Sequence, residues 1–441
     1  MSESQTGLRR EAGLFQVVTY GVGAIIGAGI YVLVGDAAGL AGGQVWLAFM
    51  IAAVVGLFTG LTYAELASMY PKAASEYIYL GRAYGSRWLS FMTEWMMLVT
   101  EVAAVSAISL GFAGYLASLT RLPIIPVAAA IIVALTGLNA IGIKQSLRIN
   151  TALSLVAVAG LLLVIVLGVK RIGTADYLSS PNGLGGVFSA TALVFFAYIG
   201  FDNISNLAEE AKTPEKTIPR GLLLALAITT ILYALVALAA VSLVSWQELA
   251  TSKAPLALAA SKVLGGNAFW VVAIAAMLTT LNTALVQLLV SSRIMFGMAR
   301  EGVLPEAIGK VSRSTGAPVL ASGLAMVASL AFLALGKVEL MAKVTSFGAF
   351  LTFALVNLAL LHLRRVAPGA PRAFKAPVNM GWVSVPGVLG LLSCLFMLTQ
   401  FDWRSILMGI TLPASGLLLF LLYGRRHLPP HDTSLHQPHE I

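Results

Sequence analysis

The chain has 441 residues, of which 58% are hydrophobic and 11% charged, and its mean hydropathy is +0.88. A soluble domain carries about 25% charged residues, so a soluble enzyme or binding module is excluded and an integral membrane protein is expected. The net charge of +9 is an insertion signature set by the side on which Lys and Arg fall, and it gives no reason to expect a nucleic-acid partner.

Residues 1–13 are polar, contain acids and lack a small-residue cleavage site, so they read as a retained cytoplasmic tail rather than a signal peptide. Apolar runs of about 20 residues, the length that crosses a bilayer, follow at 14–34, 45–69, 88–117, 122–141, 149–169, 187–207, 221–244, 267–291, 317–335, 341–361, 382–400 and 405–423. They make an all-α integral membrane protein with twelve spans in one transmembrane domain, 14–423, ahead of a cytoplasmic tail at 424–441. With the N-terminus inside, 20 of the 28 Lys and Arg residues fall on the cytoplasmic side and 8 on the other, so both termini are expected there. The polar segments near 291–318 and 362–380 read as loops with short amphipathic pieces. The single cysteine, Cys394, excludes an intrachain disulfide or a cysteine metal cluster. His362 falls at a span end, and His427, His431, His436 and His439 fall in the tail, which reads as a solvated end rather than a metal site. No cofactor or metal is expected.

The first run contains GAIIGAGI, residues 23–30, and the sixth contains FFAYIGFDNIS, residues 195–205. Glycine costs about 1 kcal/mol against alanine inside a helix, and freed backbone groups are expensive in lipid. Glycines at matched places five spans apart fit two five-span units of opposite orientation, about 14–169 and 187–361, with two further helices over 382–423. Close helix packing is the plainer explanation of the same glycines. A break leaves half-charges at the helix ends: positive at the free amides, negative at the free carbonyls. After Gly27, the amides of Ala28 and Gly29 are placed to receive a carboxylate. The carbonyls of Ile25, Phe196, Ala197 and Ile199 are placed to receive an ammonium. The ligand expected of such a site is the zwitterionic backbone of an α-amino acid.

Four segments, GVGAIIGAGIYVLVG (21–35), YAELASMYPKAASEYIYLGRAYG (63–85), FFAYIGFDNISNLAEEAKTPEKTIPRG (195–221) and SSRIMFGMAREGVLP (291–305), carry a resemblance. Together they resemble the amino acid, polyamine and organocation superfamily, especially bacterial and archaeal relatives of cationic amino acid transporters. The resemblance spans the first ten apolar runs. It implies a leucine-transporter-like 5+5 inverted repeat with broken helices 1 and 6, and a permease moving amino acids across the cytoplasmic membrane by alternating access. It also implies that Phe196 is an aromatic gate, although core packing would explain the same residue.

Acids at membrane depth are functional by default. Glu101 lies near the middle of the third run, which by the resemblance lines the cavity, and is a candidate for a proton or substrate-charge site; a structural hydrogen bond is the alternative. Asp202 follows the sixth break and does not argue for a basic substrate. Glu65, Glu209 and Glu210 lie near Lys72, Arg82, Lys212 and Arg220, where gate-closing ion pairs compete with ordinary solvated charge. In several members of the superfamily a fifth-span lysine seats the coupling proton where sodium-coupled relatives hold sodium. Ala157 stands in that place here, and Thr279 and Thr280 are the candidate sodium ligands in the eighth run. Proton coupling, sodium coupling, and exchange or facilitation without an ion all stay open, as does a polyamine or organocation substrate. An intramembrane enzyme is disfavoured because HExxH, GxSxG and GxGD are all missing, and an ATP-driven pump because GxxxxGK[ST] is missing. Saturable uptake would distinguish a transporter from a channel.

Overall fold

A computed structural model describes residues 12–71, 75–141, 147–300, 302–312, 315 and 317–421. The tails with their histidines, Lys72 and the side chains of Glu209 and Glu210 lie outside the described residues. The protein is 81% helical, as a chain must be when its backbone polar groups have no water to turn to. In order the helices are α1 (Leu14–Ile25), α2 (Ala28–Ala41), α3 (Val45–Met69), α4 (Ser75–Tyr84), α5 (Arg87–Thr120), α6 (Ile124–Ala140), α7 (Leu147–Gly168), α8 (Gly183–Val194), α9 (Pro214–Leu243), α10 (Trp246–Thr251), α11 (Pro255–Leu264), α12 (Gly266–Arg300), α13 (Val319–Leu333), α14 (Val338–Val366), α15 (Val385–Leu398) and α16 (Trp403–Leu419). A two-residue antiparallel pair, β1 (Asn379–Met380) and β2 (Val383–Ser384), precedes α15.

Every apolar run expected from the sequence falls on helix, but their lengths differ. Among the described residues seven helical stretches are long and apolar enough to cross a membrane, or eight if α15 and α16, bent by 115°, form one span. Helices α1, α6 and α13 are shorter. Enclosure separates inner from outer helices: 89% of the most apolar stretch of α5 is buried in the protein, against 39% for α7. Helix α5 therefore runs through the centre, flanked by α12 and α14, while α7 presents Leu155 and Val166 outward.

Two of the expected loops are corrected. Helix α12 continues to Arg300, so residues 291–300 are helical, and α14 continues to Val366, so the second loop starts only there. In both cases the apolar pattern stops before the helix does, because charged residues are cheap where a helix emerges from hydrocarbon.

The first run is interrupted where its glycines predict. Helix α1 closes with Ile26 N donating to Val22 O at 2.8 Å, and α2 begins at Ala28. The sixth run is interrupted too: α8 gives way to a 3-10 turn at Phe195–Ala197, an irregular turn over 198–201, and a 3-10 helix at Asp202–Glu210. Gly200 has φ of +118°, and a Cβ there would stand 2.6 Å from the Ala24 carbonyl oxygen. Only glycine tolerates both the dihedral and the approach.

Candidate substrate site

The two interruptions lie against each other. A Cβ on Gly29 would stand 2.5 Å from Ala197 Cβ and 2.9 Å from Ala197 N, so the start of α2 rests directly on the sixth-run backbone. Gly29, inside the first turn of α2, permits this close approach, as the packing reading of these glycines expects. Tyr233 reaches in from α9, its hydroxyl 2.8 Å from Ile25 O and 3.0 Å from Ala197 O. Tyr198 donates to Phe49 O at 3.0 Å and stacks edge-on to Tyr233 at 5.2 Å. Farther along α2, Tyr31 donates to the Ala157 carbonyl on α7 at 2.6 Å, and Tyr115 donates to Tyr31 O at 2.7 Å. A Cβ on Gly160 would overlap the Tyr31 hydroxyl. The neutral phenol of Tyr233 thus bonds one carbonyl at each break.

Between the breaks is a cavity with a water-accessible volume of about 20 Å³, room for roughly one water molecule. The cavity is too small for an amino acid in this conformation. Of the residues expected to hold substrate, Ile25, Gly27, Ala28, Gly29, Phe196 and Ile199 line it. Ala197 does not; its carbonyl accepts from Tyr233 while its backbone carries Gly29. The lining also contains Ala104 and Ile108 of α5, Thr283 and Gln287 of α12, and Thr345 of α14, all missed from the sequence. Thr283 and Gln287 are four apart on α12, a spacing that continues the face of Thr279 and Thr280 and could have marked them. No lining side chain is ionisable. A larger crevice of about 260 Å³, bordered by Gly43, Asp176 and Trp246, lies away from both breaks.

A family model described as amino acid permease matches residues 13–412. The chain belongs to the amino acid permease family. The permease is 33% identical to a branched-chain amino acid permease of Bacillus subtilis (strain 168), over 97% of this chain and 95% of that one. It is 29% identical to a methylthioribose transporter of the same organism, over 95% of this chain and 94% of the relative. With the vacuolar cationic amino acid transporter 4 of Arabidopsis thaliana it shares 33% identity over 82% of this chain and 65% of the plant protein. These relatives are permeases and transporters, which sets the enzyme reading aside.

The remaining candidates of the permease fall outside the cavity lining. Glu101 on α5 is 0% exposed, and neither carboxyl oxygen has a hydrogen-bond partner among the described residues. It lies one turn before Ala104 and within electrostatic reach of Asp202 and Glu76. Asp202 accepts from Gly200 N at 2.9 Å and so shapes the sixth-run turn. Thr279 and Thr280 donate to Ala275 O at 2.7 Å and Met277 O at 3.0 Å on their own helix, and neither lines the cavity. No grouping of three His, Cys, Asp or Glu fit for a metal occurs among the described residues.

Glu65 departs most from expectation. Its solvated reading is wrong: the residue is 0% exposed and pairs with Arg364 and Arg372, not with the cations that follow it on α4 or α9. Arg364 Nε donates to Oε1 at 2.9 Å and Nη2 donates to Oε2; Arg372 Nε reaches Oε1 at 3.1 Å and Ala376 N reaches Oε2 at 2.8 Å. Ser68 grips the same strap through Phe374 N at 3.2 Å. Residues 372–376 are thereby tied to the end of α3.

Proposed function

We propose that the permease is a secondary transporter that moves a neutral, apolar amino acid across a bacterial cytoplasmic membrane by alternating access. The observation that carries this reading is the cavity between two facing helix breaks, whose side-chain lining is uncharged. The amides of Ala28 and Gly29 at the start of α2 receive the carboxylate. The carbonyls at the breaks, from Ile25, Phe196, Ala197 and Ile199, attract the ammonium. A lysine or polyamine would need a buried countercharge in the lining, where Ala104, Ile108 and Phe196 stand instead; similarity to a branched-chain amino acid permease supports the same choice. Phe196, on the cavity wall, acts as the gate.

The architecture we assign is twelve transmembrane helices with repeats at 14–169 and 187–361, two additional helices over 382–423, and both termini inside. Breaks at corresponding places in the two repeats support it. For coupling we assign the proton to Glu101, supported by its unpartnered, enclosed carboxyl, with the bilayer as the permease's only other partner. The hydroxyls of Thr279 and Thr280 are turned to their own helix, which counts against a sodium seat there. Exchange or facilitation without an ion is the outcome if Glu101 proves silent.

The test is uptake by purified permease in proteoliposomes. Labelled leucine should accumulate saturably, unlabelled isoleucine and valine should compete, and lysine and putrescine should not. Competition by lysine equal to that by isoleucine would overturn the neutral-substrate reading.

A further inference from the structure

Of the polar side chains on the cavity wall, two are already engaged. Thr283 donates to Thr279 O at 2.9 Å and Thr345 donates to Thr100 O at 3.4 Å. Gln287 is different. It is 8% exposed, and its Oε1 is enclosed and has no hydrogen-bond partner among the described residues. Buried amides are rarely left unpaired, because the lost hydration is not returned, and an orphan on the wall of a binding cavity calls for a ligand.

The geometry indicates which ligand atom. Gln287 lies one helical turn from Thr283, and Thr283 touches the first break: a Cβ on Gly27 would be 3.0 Å from it. Positive half-charge is available at this break from the α2 amides, so the carboxylate has its partners. The ammonium is less well provided for, since two of its expected acceptors, Ile25 O and Ala197 O, each already accept one hydrogen bond from Tyr233. The free side-chain acceptor on the wall is Gln287 Oε1. We propose that Gln287 is a substrate-contacting residue whose amide oxygen accepts a hydrogen bond from the α-ammonium of the bound amino acid. An amide suits the task because it accepts without adding a charge that would recruit a second cation. The inference rests on the amino-acid site proposed above.

The experiment measures binding of three probes to the purified full-length permease by calorimetry: leucine, 4-methylpentanoate, which lacks the amino group, and isopentylamine, which lacks the carboxylate. Wild-type protein should bind leucine more tightly than either analogue. Gln287→Leu should weaken leucine about tenfold or more, the worth of a hydrogen bond to a charged group, and leave 4-methylpentanoate unchanged, so that the ratio between them collapses. Gln287→Glu, which keeps the shape and guards against a misfolded leucine variant, should improve isopentylamine relative to 4-methylpentanoate. An unchanged leucine to 4-methylpentanoate ratio in Gln287→Leu overturns the role of Gln287 while the site stands. Loss of 4-methylpentanoate with isopentylamine spared overturns it too, by assigning the amide to the carboxylate. Failure of wild-type protein to bind any amino acid overturns the site and the inference together.

Discussion

Glu65→Gln is expected to be the most destabilising single-atom exchange at this end of the protein. The carboxylate holds Arg364, 3% exposed, and Arg372, 8% exposed, and accepts the Ala376 N–H as well. Removing one partner of a buried ion pair costs about 3–5 kcal/mol, because the other charge stays buried and uncompensated. Here two guanidiniums lose their countercharge at once, and the amide NH2 must face N–H donors at one oxygen position. The expected cost is therefore about 5 kcal/mol, the top of that range. Arg364→Gln should cost less, about 3 kcal/mol, since Arg372 and Ala376 still hold Glu65. The double variant should recover only part of the loss, with Arg372 left unpaired. The lone cysteine supplies the assay: Cys394 is fully buried, so a thiol-reactive fluorophore reports unfolding as detergent-solubilised protein is heated or titrated with denaturant. The midpoints should rank wild type, Arg364→Gln, then Glu65→Gln. A Glu65→Gln midpoint at the wild-type value, or one above that of Arg364→Gln, refutes the reasoning.

Other outcomes follow from the breaks and the central helix. Gly29→Ala should lower stability by about 1–3 kcal/mol through overpacking, since its Cβ meets the Ala197 backbone; Gly27→Ala should cost less, since it meets only the Thr283 side chain at 3.0 Å, and equal melting of the two would remove the distinction. Leucinamide and N-acetylleucine should fail to inhibit leucine uptake, because each lacks one of the two charges that the helix ends hold; inhibition equal to that by leucine contradicts the site. Glu101→Gln should flatten the pH profile of net uptake and spare substrate exchange, and a profile identical to wild type makes Glu101 structural. Saturation with substrate at a hundred times its Kd should stabilise the wild-type protein by about 2.7 kcal/mol, read with the same fluorophore.

The breaks were legible because their cause is local. Glycine inside an apolar run is a local anomaly, and Gly27, Gly29 and Gly200 each sit at an interruption or at its packing surface. The cavity wall was half legible for the same reason: Ile25, Ala28, Phe196 and Ile199 flank those glycines, whereas Ala104, Ile108 and Thr345 come from helices with no local mark. Glu65 was noticed as a charge, but its partner Arg364 lies 299 residues away, and no periodicity links two residues across such a distance. Tyr233 escaped notice entirely, because a tyrosine in an apolar helix resembles any other aromatic until its hydroxyl is seen on two carbonyls. Helix ends were misjudged at 291–300 because Arg293 and Arg300 signal exit from lipid, and the helix itself continues into water.

The joint between α2 and α7 bears on which sequence changes a permease of this shape can absorb. Tyr31 meets the carbonyl of Ala157, and the missing Cβ of Gly160 makes the notch that the phenol occupies. A phenol carries no charge across the physiological range, so this bond is indifferent to the proton concentration on either side. The notch is walled on a second side by Ala275. A smaller residue at 31 alone would not admit a side chain at 160, since a Cβ there would also stand 2.9 Å from Ala275 Cβ. The fit at this seam is thus a property of Tyr31, Gly160 and Ala275 acting as a set, and enlarging any one of them alone passes through a damaged protein.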